Sequence, residues 1–307
     1  SYLPPLLVYL AAGISSLTAI VGTFFIKDYL NLSAAFLAGL GFWAGLPWAL
    51  KMPLGHLVDL IWKHKNYMVY FGASIIAASL LIMHGLIGHT QTMATILPVE
   101  TWYVVSVILA PIGFVVQDVV ADAMTVEAVP KYETDGTAFS EKDIKTMHTT
   151  MQTLGRFAII SGSMLVALIN VVIFSGTETL NEEQRVALYA DVYVYALVIP
   201  LVSVLGVFLA KFLSYRTQKA TTLQEQDVPA SITHERNNTE INWSILLGSL
   251  VFVIFSVGIG VSNIPFSQEI VFGGSAAIIL FLMKSLMKYM SASQRNTIIG
   301  TAVIIFV

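Results

Sequence analysis

Long apolar runs alternate with short polar connections along the chain. The runs cover roughly residues 3–26, 33–61, 67–88, 101–127, 146–174, 186–213, 242–262 and 268–290, and another opens at 297. A helix rises about 1.5 Å per residue, so about 20 apolar residues cross the roughly 30 Å of a bilayer's hydrocarbon. Eight transmembrane helices and the start of a ninth are therefore expected. Several runs exceed the minimum, which predicts tilt or extension beyond the bilayer. Pro47 and Pro53 interrupt the second run, and Pro200 the sixth. A helical proline donates no backbone N–H and crowds the carbonyl one turn back, so kinks or loosened turns are expected there.

Composition strengthens this picture. Of 307 residues, 56% are hydrophobic and 11% charged, against about 25% charged in soluble domains. The fold class expected is an all-α polytopic membrane protein. The formal net charge of -3 says less than where the charges fall. The absence of cysteine excludes disulfides, thiol catalysis and cysteine-based metal sites. The chain opens in an apolar run at Leu3, which reads as a first span rather than a cleavable leader. It stops within another run at Ile304-Ile305-Phe306-Val307, so a longer natural polypeptide is expected.

Charge placement predicts orientation. The connections after the even-numbered spans hold Lys63 and Lys65; Lys131, Lys142 and Lys145; Lys211, Arg216, Lys219 and Arg236; and Lys284, Lys288 and Arg295. Those after the odd-numbered spans hold Lys27 and Arg185. The positive-inside rule then puts the even connections and the N-terminus in the cytoplasm of a multi-pass plasma (inner) membrane protein. The long polar linker follows the sixth span. It divides the chain into a six-helix part (1–213), a cytoplasmic connection (214–241) and further membrane helices (242–307). Six spans, a linker and more spans is the layout of a transporter built from two halves.

Charged residues inside the spans are the candidates for chemistry. Asp118 and Asp122 are four apart in Gln117-Asp118-Val119-Val120-Ala121-Asp122-Ala123-Met124-Thr125-Val126-Glu127, so they share one helix face. An Asp at the centre of a span costs about 2.5–3.5 kcal/mol on insertion scales. The stripe must face a polar cavity or find cations. Lys51 lies within the second span. Arg156 lies within the fifth, on a stripe with His148 and Gln152 at four-residue spacing. Arg156 sits about ten residues into its span, some 15 Å deep; an arginine there keeps its proton and is expected to be paired. Two readings follow for Lys51, Asp118, Asp122, Arg156 and Gln152. In one, the bases receive an anionic substrate group and an Asp exchanges a proton. In the other, the charges form a static network that holds the helices together.

Further polar and aromatic residues carry weaker signals. Gly13, Ser15, Ser16 and Thr18 let the first span pack closely or line a cavity. His84 could titrate, but a lone His in an apolar helix is more often packed. Tyr189 and Asp191 read as a cavity rim. Trp43, Trp48 and Tyr193 could stack on a planar ring, though packing against lipid or core is the commoner fate. Phosphate-binding loops, zinc-type clusters and nucleophile elbows are missing from the sequence, so an enzyme is not expected, and neither a cofactor, a metal nor a nucleic-acid partner is implied.

The end of the second span reads Gly55-His56-Leu57-Val58-Asp59-Leu60-Ile61-Trp62-Lys63. This resembles the cytoplasmic signature of the major facilitator superfamily, a Gly-x-x-x-Asp followed by basic residues. By that resemblance Gly55, Asp59 and Lys63 form a gating motif that latches two halves in the outward-facing state. The stretches Gln117–Glu127 and Leu46-Pro47-Trp48-Ala49-Leu50-Lys51-Met52-Pro53-Leu54-Gly55 resemble the fourth and second spans of the folate–biopterin transporters, a branch of that superfamily; here Met52 separates the Lys from the Pro. The resemblance covers about residues 40–165. It implies secondary active transport of a small, anionic, pterin- or folate-like solute, driven by protons or another coupling ion, with Lys51, Asp118, Asp122 and Arg156 around the central site. Permeases for peptidoglycan fragments and transporters of acyl-coenzyme A have a similar acidic fourth span. A receptor or scaffold that keeps the fold without transport is the alternative of a different class.

Overall fold

The computed structural model describes residues 2–25, 30, 32–130, 133, 137–224, 243–262, 264–288 and 290–306. Lys27, Lys131, Arg236 and most of the predicted linker lie outside them, as do the side chains of Lys63 and Lys219. The regular elements are helices, and seven helical segments are long and apolar enough to cross a bilayer. The chain is a multi-pass integral membrane protein. It divides into two compact units, Ser1–Asn237 and Asn238–Val307.

The breaks within predicted spans have identifiable causes. The first span is α1 (Leu3–Ile14), a 3-10 turn over Ser15–Thr18 and α2 (Ala19–Phe25); at the turn Ser15 Oγ donates to the Ala12 carbonyl at 2.6 Å. The second is two helices rather than one, α3 (Ala34–Ala49) and α4 (Lys51–Leu60). Pro53 has no N–H for the Ala49 carbonyl, and the Leu50 N–H turns back to the Pro47 carbonyl at 3.0 Å, so the first helix ends and a second starts. α5 (Lys65–Gly88) is followed by the short α6 (Thr90–Ala94). α7 (Val99–Ala128) runs through Pro111 unbroken. α8 (Glu141–Phe174) starts before the expected 146 because Ser140 caps the Asp143 N–H at 3.2 Å. The sixth span is again split, into α9 (Glu182–Tyr195) and α10 (Val198–Gln224). Pro200 cannot donate to the Ala196 carbonyl, which accepts from Ile199 instead at 2.9 Å.

α7 is the central element of the first unit and packs against α1, α3, α4, α5 and α8. Lipid tails are as apolar as leucine, so helix association in a bilayer relies on close packing and interhelical hydrogen bonds. Both are present. A Cβ on Gly72 would stand 2.7 Å from the Gly113 carbonyl, and one on Gly113 would stand 2.7 Å from the Gly72 carbonyl. Two turns along, Ser79 and Ser106 exchange hydroxyl-to-carbonyl bonds of 2.8 and 3.0 Å. Gln117 donates to the Val69 carbonyl at 3.2 Å and accepts from the Ser203 hydroxyl at 2.9 Å, tying α5, α7 and α10. Gly13 of α1 meets α8 at Gly162, the close packing expected of the first span. Gly113→Ala should lower stability by about 1–3 kcal/mol, because the methyl meets the Gly72 carbonyl and the fully buried Ile76, so a backbone must move even if that side chain shifts. Thermal unfolding in detergent measures this; an unchanged midpoint would mean that the α5–α7 crossing relaxes freely.

The second unit is smaller. α11 (Trp243–Val261) packs on α12 (Ser267–Met287), with Ser256 and Ser275 hydroxyls 3.3 Å apart, and α13 (Ala292–Phe306) follows.

Candidate functional site

Lys51 occupies the first position of α4, directly after the break. The break stops α3 beside α7, and the new helix sets out along the same neighbour. The Lys51 ammonium lies 2.6 Å from Asp118 Oδ2 and 2.9 Å from Asp122 Oδ2. One cation thus bridges two carboxylates a turn apart on α7. The positive end of the α4 dipole lies at the same place and adds to the ammonium.

The two acids are held differently. Asp122 Oδ1 also accepts from the Tyr9 hydroxyl at 2.6 Å, so both of its oxygens are engaged. Its side chain is nevertheless 49% exposed, against 14% for Asp118. Tyr9 can reach Asp122 because Gly155 on α8 makes room for its ring: a Cβ there would stand 2.8 Å from a ring carbon. The cluster therefore draws on α1, α4, α7 and, through Gly155, α8.

Arg156 and Gln152 are on the same α8 stripe, and both are exposed. Among the described residues Arg156 forms no ion pair, but its charge acts on Asp118 through space. This differs from the pairing expected of a deep arginine, and helix geometry explains it. Met151 and Gly155 form the buried face of α8. Residues one position further on are rotated by about 100° and turn outward. The predicted set is thus brought together in part: Lys51, Asp118 and Asp122 touch, while Arg156 and Gln152 remain open beside them.

At the end of α4, Gly55 makes ordinary contact with α7, a Cβ there standing 4.0 Å from Val119. Asp59 is exposed, and among the described residues it is in no ion pair; the nearly buried His56 one turn earlier interacts with it electrostatically. The ion pair at this end is another. Lys65, almost fully buried, contacts Glu127 Oε2 at 2.6 Å and lies 3.6 Å over the Trp62 ring.

Sequence reasoning missed Tyr9 and the Lys65–Glu127 pair. A tyrosine in an apolar run carries no signal of its own. The pair had one: the start of one span and the end of the next face the same membrane boundary. His84 Nδ1 donates to the Ala190 carbonyl, 2.9 Å away. Because a carbonyl only accepts, the ring proton is on Nδ1. His84 and Asp191 line a cavity of about 620 Å³ between α5 and α9, together with His89, Glu182 and Glu183. Tyr189 and Tyr193 are core residues, so Tyr193 offers no open ring for stacking. Trp48 is exposed, and Trp43 meets Phe42 edge to face at 5.7 Å. Among the described residues no group of His and acids has the spacing of a metal site.

No protein-family model matches the chain, and neither a curated protein nor a solved structure matches it.

Proposed function

We propose that the chain is a secondary active transporter of major-facilitator type, with the first six spans as its N-terminal half. It moves a small anionic solute, of pterin or folate kind by the sequence resemblance, by alternating access coupled to protons. The observation that carries this reading is the Lys51 ammonium shared by Asp118 and Asp122 inside an apolar bundle, with Arg156 alongside in no ion pair among the described residues. Charged residues at such depth are costly and are a functional hypothesis by default. A purely structural pair would be expected to be closed off; here Lys51 and Asp122 remain 42% and 49% exposed.

The roles divide by availability. Lys51 is committed to two carboxylates, so among the described residues Arg156 is the cation beside the cluster open to an anionic solute group, with Gln152 one turn away as a hydrogen-bonding neighbour. A proton arriving on either Asp removes one of the two charges that hold Lys51. The ammonium then swings or rebalances, and that change is what couples proton occupancy to the rocking of helices. Gly55, Asp59 and Lys63 form the gating motif at the end of α4 in this reading.

Asp118→Asn and Asp122→Asn should each abolish uptake driven by an imposed proton gradient in proteoliposomes, while counterflow exchange of labelled solute persists. Gradient-driven uptake at wild-type rates in both variants would remove the coupling. The solute itself is found by thermal shift against pterins, folates, nucleosides, amino acids and muropeptides, since a ligand of the native state raises apparent stability by mass action.

A further inference from the structure

At the membrane boundary that carries the Lys65–Glu127 pair, α5 enters the apolar layer at Lys65 and α10 leaves it near Leu213. The two helices pack together. Their ends form an aromatic and cationic surface. The Tyr67 ring meets Tyr70 edge to face at 6.4 Å, and Tyr70 meets Phe208 of α10 at 6.1 Å. Over that row, the Lys211 ammonium stands 5.5 Å from the Tyr70 ring centroid. On the adjoining row of α10, the Arg216 guanidinium stands 5.3 Å from the Phe212 ring. Tyr67, Phe208 and Phe212 are all more than half exposed.

Two features set this surface apart from an ordinary helix end. Among the described residues, neither Lys211 nor Arg216 is in an ion pair, so no described carboxylate compensates either charge. Both rest on ring faces, which hold a cation in place without neutralising it. Exposed aromatic rings with polar edges settle at the headgroup level of a bilayer. A ligand fitting here needs an apolar body to lie along Phe208 and Phe212, and a negative group at the height of Lys211 and Arg216.

We infer that the α5–α10 groove binds the headgroup of an anionic phospholipid. The phosphodiester meets Lys211 on the α5 side of α10, Arg216 adds its charge five residues further along the helix, and an acyl chain follows the exposed phenylalanines. A zwitterionic lipid brings its own ammonium to these two cations and is disfavoured. This site is independent of the transport reading, because it involves none of Lys51, Asp118, Asp122 or Arg156.

The test is native mass spectrometry of the full chain released from nanodiscs of mixed phosphatidylglycerol and phosphatidylcholine, counting the lipid retained. Wild type should retain phosphatidylglycerol preferentially. Lys211→Ala with Arg216→Ala should reduce that preference roughly thirtyfold, from the contribution of two basic residues at a charged surface. Lys211→Arg with Arg216→Lys keeps both charges and should retain it, which separates loss of the site from loss of folding. Lys142→Ala with Lys145→Ala removes the same charge from the start of α8 and should leave the preference unchanged. The inference is overturned if wild type shows no preference or if the double alanine variant keeps it. Equal loss in the α8 control, or displacement of the lipid by soluble glycerol phosphate, overturns it as well.

Discussion

Lys51→Ala is expected to abolish proton-driven uptake and to destabilise the folded chain by about 1–3 kcal/mol. Removing one partner of a buried ion pair costs about 3–5 kcal/mol; here the loss is smaller because Lys51 is 42% exposed. What remains after the substitution is unfavourable in a specific way. Asp118 and Asp122 stand a turn apart on α7, and like charges at that spacing repel. The Tyr9 hydroxyl still engages Asp122, but Asp118, at 14% exposure, loses its ion-pair partner. Thermal unfolding measures the stability term. The double variant Lys51→Ala, Asp118→Asn removes one charge of each sign and should recover much of the stability without recovering uptake. If Lys51→Ala unfolds at the wild-type midpoint, the bridge contributes no energy to the fold and the coupling built on it fails.

Arg156→Ala is expected to behave in the opposite way, losing function while keeping the fold. Arg156 is exposed and forms no ion pair among the described residues, so its removal should change stability by no more than about 0.5 kcal/mol. A hydrogen bond to a charged group contributes about 1.5–3 kcal/mol. Loss of the guanidinium should therefore weaken an anionic solute by roughly tenfold to a hundredfold. Arg156→Lys should recover part of this, because an ammonium keeps the charge but not the planar fork that matches a carboxylate. Uptake and thermal unfolding measured on the same preparations separate the two readings of the cluster. A scaffold would show a stability loss; a transporter shows a transport loss. Wild-type solute affinity in Arg156→Ala would remove this residue from the site.

The two substitutions differ because α7 and α8 differ in what covers them. α7 is packed by α1, α3, α4, α5, α6 and α8, so a charge on it needs a partner within the protein. α8 packs mainly through one glycine-bearing face against α1, and a charge on its other faces remains accessible. The same asymmetry accounts for Tyr9. Its hydroxyl reaches Asp122 across a seat that exists only where residue 155 lacks a Cβ.

Much of the architecture is legible from local chemistry. Run length predicts where helices cross the bilayer, because hydrocarbon accepts no unsatisfied backbone. Pro53 and Pro200 mark real breaks, since each withholds the N–H that the carbonyl four residues back requires. The four-residue spacing of Asp118 and Asp122 puts them on one face whatever surrounds them. Other features depend on contacts between distant segments. Pro111 has the same local chemistry as Pro53, yet α7 continues through it. That Lys51 is taken by the aspartates while Arg156 is left open depends on the rotation of α4 and α8 about their axes, and on α8 that rotation follows the close approaches at Gly155 and Gly162. Tyr9 and Asp122 are 113 positions apart, and Lys65 and Glu127 are 62 apart. Periodicity describes a helix against its own axis; the partner of a charge is chosen by neighbouring helices, through close packing that a single run of residues does not encode.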